Sequence, residues 1–106
     1  MATIEEFRKV ELIVARIKEA KEHPNADRLY VLKVDTGKDE RQVVAGIRKT
    51  YTPEQLVGRR IILVANMEPA VIRGETSNGM LLAASDANGM ALLMPDKDMA
   101  LGSIVK

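Results

Sequence analysis

The sequence predicts an all-β fold: a five-stranded OB-type barrel with a short helix between the third and fourth strands and a β extension at the C-terminus. Three observations carry this. Runs of β-branched residues bounded by turn residues recur along the chain. No apolar-periodic segment is long enough to make a long helix. The elements come in the order strand, strand, strand, helix, strand, strand, which is that of an OB-type barrel.

Each element has its own signal. Thr3 followed by Glu6 has capping-box spacing and predicts a short opening helix, with Phe7 packing that turn onto the barrel. Val10 to Ala20 carries two interleaved apolar sets, Val10, Leu12, Val14 and Ile13, Ala15, Ile17. A strand apolar on both faces suits a small, highly curved barrel. His23-Pro24-Asn25-Ala26-Asp27 reads as a turn, because Pro24 biases His23 away from helix and Asn and Asp favour turns. Leu29 to Val34 is the second strand, residues 35 to 40 a hairpin loop, and Arg41 to Ala45 the third strand. Thr52 caps a helix with Pro53 at its first position and Gln55 completing the box, and Gly58 stops it. Arg59 to Ala65 is the fourth strand, and Pro69 and Gly74 break the stretch beyond it. Ser77-Asn78-Gly79 turns into Met80 to Ala84, and Asn88-Gly89 turns into Met90 to Met94.

At 106 residues, 46% of them hydrophobic, the chain has the size of one small core, and residues 1–106 read as one domain. The ends at Met1 and Lys106 lean towards a free-standing protein. The N-terminus has acidic residues before its first base and no apolar core, unlike a signal peptide. Apolar runs such as Ile61 to Ala65 are too short to span a bilayer as helices. A cytoplasmic protein with no membrane partner is the expectation.

The formal net charge is +1, but of the 16 Lys and Arg residues only Lys97 and Lys106 lie beyond Arg73. That asymmetry fits a basic face of the kind that meets a phosphate backbone, but on charge alone a scatter of solvated side chains is the favoured reading.

Enzyme chemistry finds little to build on. There is no cysteine and one histidine, so neither a zinc site nor a Cys–His pair can be assembled. His23 reads as a surface turn residue, and no catalytic residue, metal or cofactor is expected. Aromatics for base stacking are scarce: Phe7 reads as core, and Tyr30 is a better stacking candidate than Tyr51. Nucleic acid, if bound, is then held by backbone and shape. Arg73, Ser77, Asn78 and Asn66 gather at one mouth of the expected barrel, where they could donate to phosphate or ribose oxygens. All methionines but Met1 lie at or after Met67. Met90, Leu92, Met94, Leu101 and Ile104 exceed what five strands need, which suits either core filling or an apolar dimer interface.

Taken together, His23-Pro24-Asn25-Ala26-Asp27-Arg28-Leu29-Tyr30, Val43-Val44-Ala45-Gly46-Ile47, Asn66, Arg73-Gly74 and Ser77-Asn78-Gly79-Met80-Leu81-Leu82-Ala83-Ala84 resemble the tRNA-binding domain family over nearly the whole chain. That family includes the free-standing tRNA-binding protein, and the likeness is strongest to the methionyl-tRNA synthetase β-subunit or C-terminal domain. The resemblance implies an OB-fold that recognises the folded shape of tRNA, forms a homodimer through its C-terminal segment, and assists an aminoacyl-tRNA synthetase, the methionyl enzyme first. By motif match Ser77 and Met80 are the implied RNA contacts, with Asn66 and Arg73 as neighbours. The stretch Met67 to Ile72 departs from the family in carrying Glu68 and no base. Lys33, Arg41, Arg48 and Lys49 are the cations that could compensate. The alternatives on the same fold are a chaperone-like or protein-interaction module and a dimerisation tether for a synthetase.

Overall fold

The computed structural model describes residues 1–106. Its elements are α1 (Ile4–Arg8), β1 (Leu12–Glu22), β2 (Tyr30–Asp35), β3 (Glu40–Ala45), α2 (Pro53–Leu56), β4 (Arg60–Val64), β5 (Ala70–Ile72), β6 (Glu75–Ser77), β7 (Met80–Leu81), β8 (Ala83–Asp86), β9 (Gly89–Leu92) and β10 (Ile104–Val105).

The organising element is β1, which is long enough to serve two sets of partners. Its first half pairs antiparallel with β4, from Leu12↔Val64 to Arg16↔Arg60. Its second half pairs with β2, out to Glu22↔Tyr30. The register shifts between Ile17 and Glu19, so Lys18 is an extra residue at the crossover and bends the strand. Val14 and Ala15 are consecutive and both buried, which a flat strand with one wet face would not allow. The expected two-faced apolar strand is therefore present, and it curls the sheet.

The main sheet runs β3-β2-β1-β4-β7, and β10 pairs with the start of β1. Ile17, Leu32, Val34, Val43, Ile61 and Leu63 fill its concave side. Leu56 of α2 closes the end of that core at 0% exposure, a burial worth roughly 1.5–3 kcal/mol. Both predicted capping boxes are formed: Gln55 N–H donates to Thr52 Oγ1 at 3.4 Å and Thr52 N–H to Gln55 Oε1 at 2.8 Å. Thr3 and Glu6 repeat the arrangement at 3.2 and 3.0 Å.

Three expectations require correction. The barrel is not closed: the sheet is an OB-fold-like open half-barrel, and β3 and β7 end it without pairing. The expected fifth strand, Met80 to Ala84, divides at Leu82, whose N–H turns to Ile62 O at 3.2 Å while its carbonyl accepts Leu93 N–H at 3.0 Å. Only β7 stays in the sheet, and β8–β9 forms a separate hairpin whose β8 is exposed and whose β9 buries Leu92 against the core. Phe7 is not core but 42% exposed, because α1 is one short turn with no buried residue.

Candidate nucleic-acid interface

The rim of the open sheet is built by the chain between β4 and β7. Pro69 and Gly74 are expected to break it, yet Arg73 and Gly74 form a two-residue turn between β5 and β6. Their φ values are +55° and +92°, the double positive that tight hairpins require. Arg73 is the one non-glycine residue with positive φ. The turn holds it exposed, with no ion pair.

The β6–β7 turn then covers the free edge of β3. Val44 N–H donates to Ser77 Oγ at 2.9 Å, and Asn78 N–H donates to Gln42 O at 2.7 Å. Ser77 Oγ gives its own proton to Gly79 O at 3.0 Å and the residue is 5% exposed, so its hydroxyl is committed within the fold. Asn78 is half-buried and its side-chain amide has no partner in the chain. Met80 is 45% exposed at the start of β7.

Asn66 is not free to donate outward. Its Oδ1 accepts Glu11 N–H at 2.8 Å and its Nδ2 donates to Lys9 O at 2.6 Å, which docks the N-terminal segment on the end of β4. The five expected cations separate into two groups. Arg41 pairs in register with buried Val34, so it turns to the concave side, where it donates to Ala65 O and lies 3.5 Å from Asp39. Arg48 is held by Glu22 at 2.8 Å and by Ala26 O at 3.2 Å. Lys33 sits half-exposed at 3.9 Å from Glu19. Lys49 and Arg73 alone of the five are exposed and unpaired. The expected single mouth is thus divided: Asn66 serves the N-terminal docking and Ser77 is buried against the β3 edge, whereas Arg73 is exposed and Asn78 half-buried at the rim.

Two sequence expectations about rings are overturned. Tyr30 is 4% exposed, because it shares the inward parity of Leu32 and Val34, and its hydroxyl donates to Tyr51 O at 2.7 Å. It cannot stack on a base. Tyr51 accepts Leu92 N–H at 3.0 Å on its hydroxyl and has the Arg59 guanidinium 4.9 Å from its ring centre. His23, expected at the surface, is 3% exposed, with both ring nitrogens hydrogen-bonded. Its partner Ile72 is 49 residues away and leaves no mark in the sequence around it.

Two surface charges are tuned. The Thr36 hydroxyl, assisted by Arg41, holds the Asp39 carboxyl below the usual carboxylate range. The Glu40 carboxylate, bonded to Lys18, raises that ammonium.

Among the residues expected at a dimer interface, Leu92 is 7% exposed and belongs to the core, and Met90 packs partly against it. Met94 is 50% and Ile104 78% exposed, and Leu101 is half-buried. Ile104 opens onto an apolar groove of about 350 Å³ with Ile4, Phe7, Val10 and Val105.

No helix is long and apolar enough to cross a membrane. Residues 12–104 match a family model described as "Putative tRNA binding domain". The chain is 54% identical over 102 residues to the methionine–tRNA ligase of Pyrococcus horikoshii, covering 96% of this chain and 14% of the ligase. It is 52% identical over 104 residues to that of Thermococcus kodakarensis, with 98% and 14% covered. The matched stretch is a small non-catalytic module of these ligases. Among solved structures, the MetRS related protein of Pyrococcus horikoshii superposes with a TM-score of 0.92 at 32% identity, covering 100% of this chain and 98% of that one. The CsaA chaperone protein of Picrophilus torridus does so with 0.93 at 29%, covering 100% of both. With the family model spanning nearly all of the sheet and relatives this similar, the chain belongs to the tRNA-binding domain family.

Proposed function

We propose that this chain is a one-domain accessory that binds the folded shape of tRNA in the cytoplasm and raises the tRNA affinity of a synthetase, the methionyl enzyme being the partner of choice. The observation that carries the reading is the match to the ligase module along 96% of the chain. The exposed cations Arg73 and Lys49, with Asn78 and Met80 at the rim, support contact through phosphate and ribose rather than stacked bases, since Tyr30 is buried and Tyr51 sits against Arg59. A homodimer accords with the groove beside Ile104, and two linked copies would gain from effective concentration.

The test is a titration of total tRNA at about 50 and 200 mM salt, with single-stranded RNA as control and the solution mass measured alongside. Binding of tRNA that weakens steeply with salt, by a dimer, is the expected result. The likeness to the CsaA chaperones supports a second reading, a module that takes apolar peptide in the same groove. Salt-insensitive peptide binding with no tRNA binding at the lower salt would favour it.

A further inference from the structure

His23 is the one histidine of the chain and is buried. The partners of its ring fix its tautomer. Asn25 N–H, which can only donate, lies 2.9 Å from Nδ1. Ile72 O, which can only accept, lies 3.0 Å from Nε2. Nδ1 therefore carries the lone pair and Nε2 the proton. The backbone N–H of His23 donates to Leu29 O at 3.1 Å, so the loop between β1 and β2 is closed at its base and the imidazole is clamped from below.

What that clamped ring reaches is the β5–β6 hairpin. β5 has only β6 as a strand neighbour, and β6 is in turn tied to β3, where Gln42 Nε2 donates to Thr76 O at 2.9 Å and Val44 N–H to Ser77 Oγ at 2.9 Å. So β5 is the outer strand of the hairpin, and the His23 ring holds it from the other side. Ile72 is the last residue of β5 and the one before Arg73. Arg73 is held in the left-handed region at φ +55°, where a long side chain is strained and persists only if its surroundings fix it. The bond from Nε2 to Ile72 O lies one residue from that strained position.

We propose that His23 is the positioning residue for Arg73: its Nε2–H latches the β5–β6 hairpin to the β1–β2 loop and so fixes the unpaired guanidinium for a phosphate of the bound RNA. The latch stands on the hydrogen bonds alone. Its consequence for binding rests on the tRNA-binding function proposed for the chain.

Two variants separate the two ring nitrogens. His23→Asn keeps an acceptor for Asn25 N–H but is too short to reach Ile72. His23→Gln places a donor near the position of Nε2. Amide hydrogen exchange of the β5–β6 hairpin is expected to accelerate on the order of tenfold in H23N and to return towards the wild-type rate in H23Q, with β1, β2 and β4 unchanged. Unchanged hairpin exchange in H23N would overturn the latch. A cycle of H23N, R73A and the double variant, read by tRNA affinity, tests the consequence. The double variant is expected to bind as R73A does, because with the guanidinium gone nothing remains to be positioned. Additive losses, or R73A binding as wild type, would overturn the positioning role. If the wild-type chain does not bind tRNA at low salt, it is the tRNA-binding function that fails, and hairpin exchange still decides the latch.

Discussion

Ser77 Oγ receives the backbone N–H of Val44 at 2.9 Å, and in doing so takes the place that a carbonyl of a neighbouring strand would hold. β3 is the edge of an open sheet, and an exposed edge invites pairing with another chain. One hydroxyl and one turn amide, Asn78 N–H to Gln42 O at 2.7 Å, cover it instead. Ser77→Ala leaves Val44 N–H buried without an acceptor, a loss of about 1–3 kcal/mol. The expected signature is a lower urea midpoint with an unchanged slope. An unshifted midpoint would show that Val44 finds another partner, and would return Ser77 to consideration as an RNA contact.

Gly79 shows why the turn after Ser77 takes this shape. At φ +133° a Cβ would meet Leu63 Cδ1 at 3.1 Å and Val64 O at 3.2 Å. Gly58, at φ +89°, has nothing within 4 Å of the same position. Both substitutions to alanine incur backbone strain of about 1–3 kcal/mol. Gly79→Ala adds the crowding of β4, so its thermal midpoint should fall further than that of Gly58→Ala. Equal falls would mean that Leu63 repacks without cost.

Asp39 gives the fold an acid dependence whose sign is fixed. The Thr36 hydroxyl and then Arg41 favour its charged form, so its pKa is lower folded than unfolded. Its contribution is present above the unfolded value of about 3.9 and is lost as pH falls through the depressed folded value. Lys18, raised by Glu40, behaves oppositely: its contribution holds below about 10.4 and fades as pH rises through the raised value. Urea midpoints of Asp39→Asn and wild type should therefore converge as pH is lowered from about 5 to about 2. Curves that stay parallel would remove Asp39 from the acid response.

Much of this fold is legible in the sequence because it is local. The caps at Thr3 and Thr52 involve neighbours three residues away, and strand positions follow from β-branched runs between turns. The burial of Tyr30 is also legible, since Leu32 and Val34 share its parity on β2. The β5–β6 hairpin is hidden because Arg-Gly is not the Asn-Gly or Asp-Gly that marks a two-residue turn. The roles of Asn66 and His23 are hidden because their partners, Glu11 and Ile72, lie 55 and 49 residues away. The open edge leaves no local signal either: strand order alone does not say whether the last strand reaches the first.

The expected cations divide by what already holds them. Arg41 and Arg48 are bound to carboxylates and backbone carbonyls, whereas Lys49 and Arg73 are not. Removing one phosphate-binding cation flattens the dependence of log affinity on log salt by close to one unit. Arg73→Ala and Lys49→Ala should therefore each weaken tRNA binding, lower the salt slope by about one, and leave the unfolding free energy from urea titration within about 0.5 kcal/mol of wild type. Arg41→Ala strips Ala65 O of a donor and Asp39 of its countercharge at a largely buried position, and Arg48→Ala frees Glu22 and Ala26 O. Both should cost stability, Arg41 the more because only 15% of its side chain is exposed, and neither should alter the salt slope of the folded protein. Measuring slope and midpoint on the same four variants tests the division. A flattened slope in Arg48→Ala at unchanged stability would move the RNA surface from the β5–β6 rim to the segment between β3 and α2, where Arg48 packs against the β1–β2 loop.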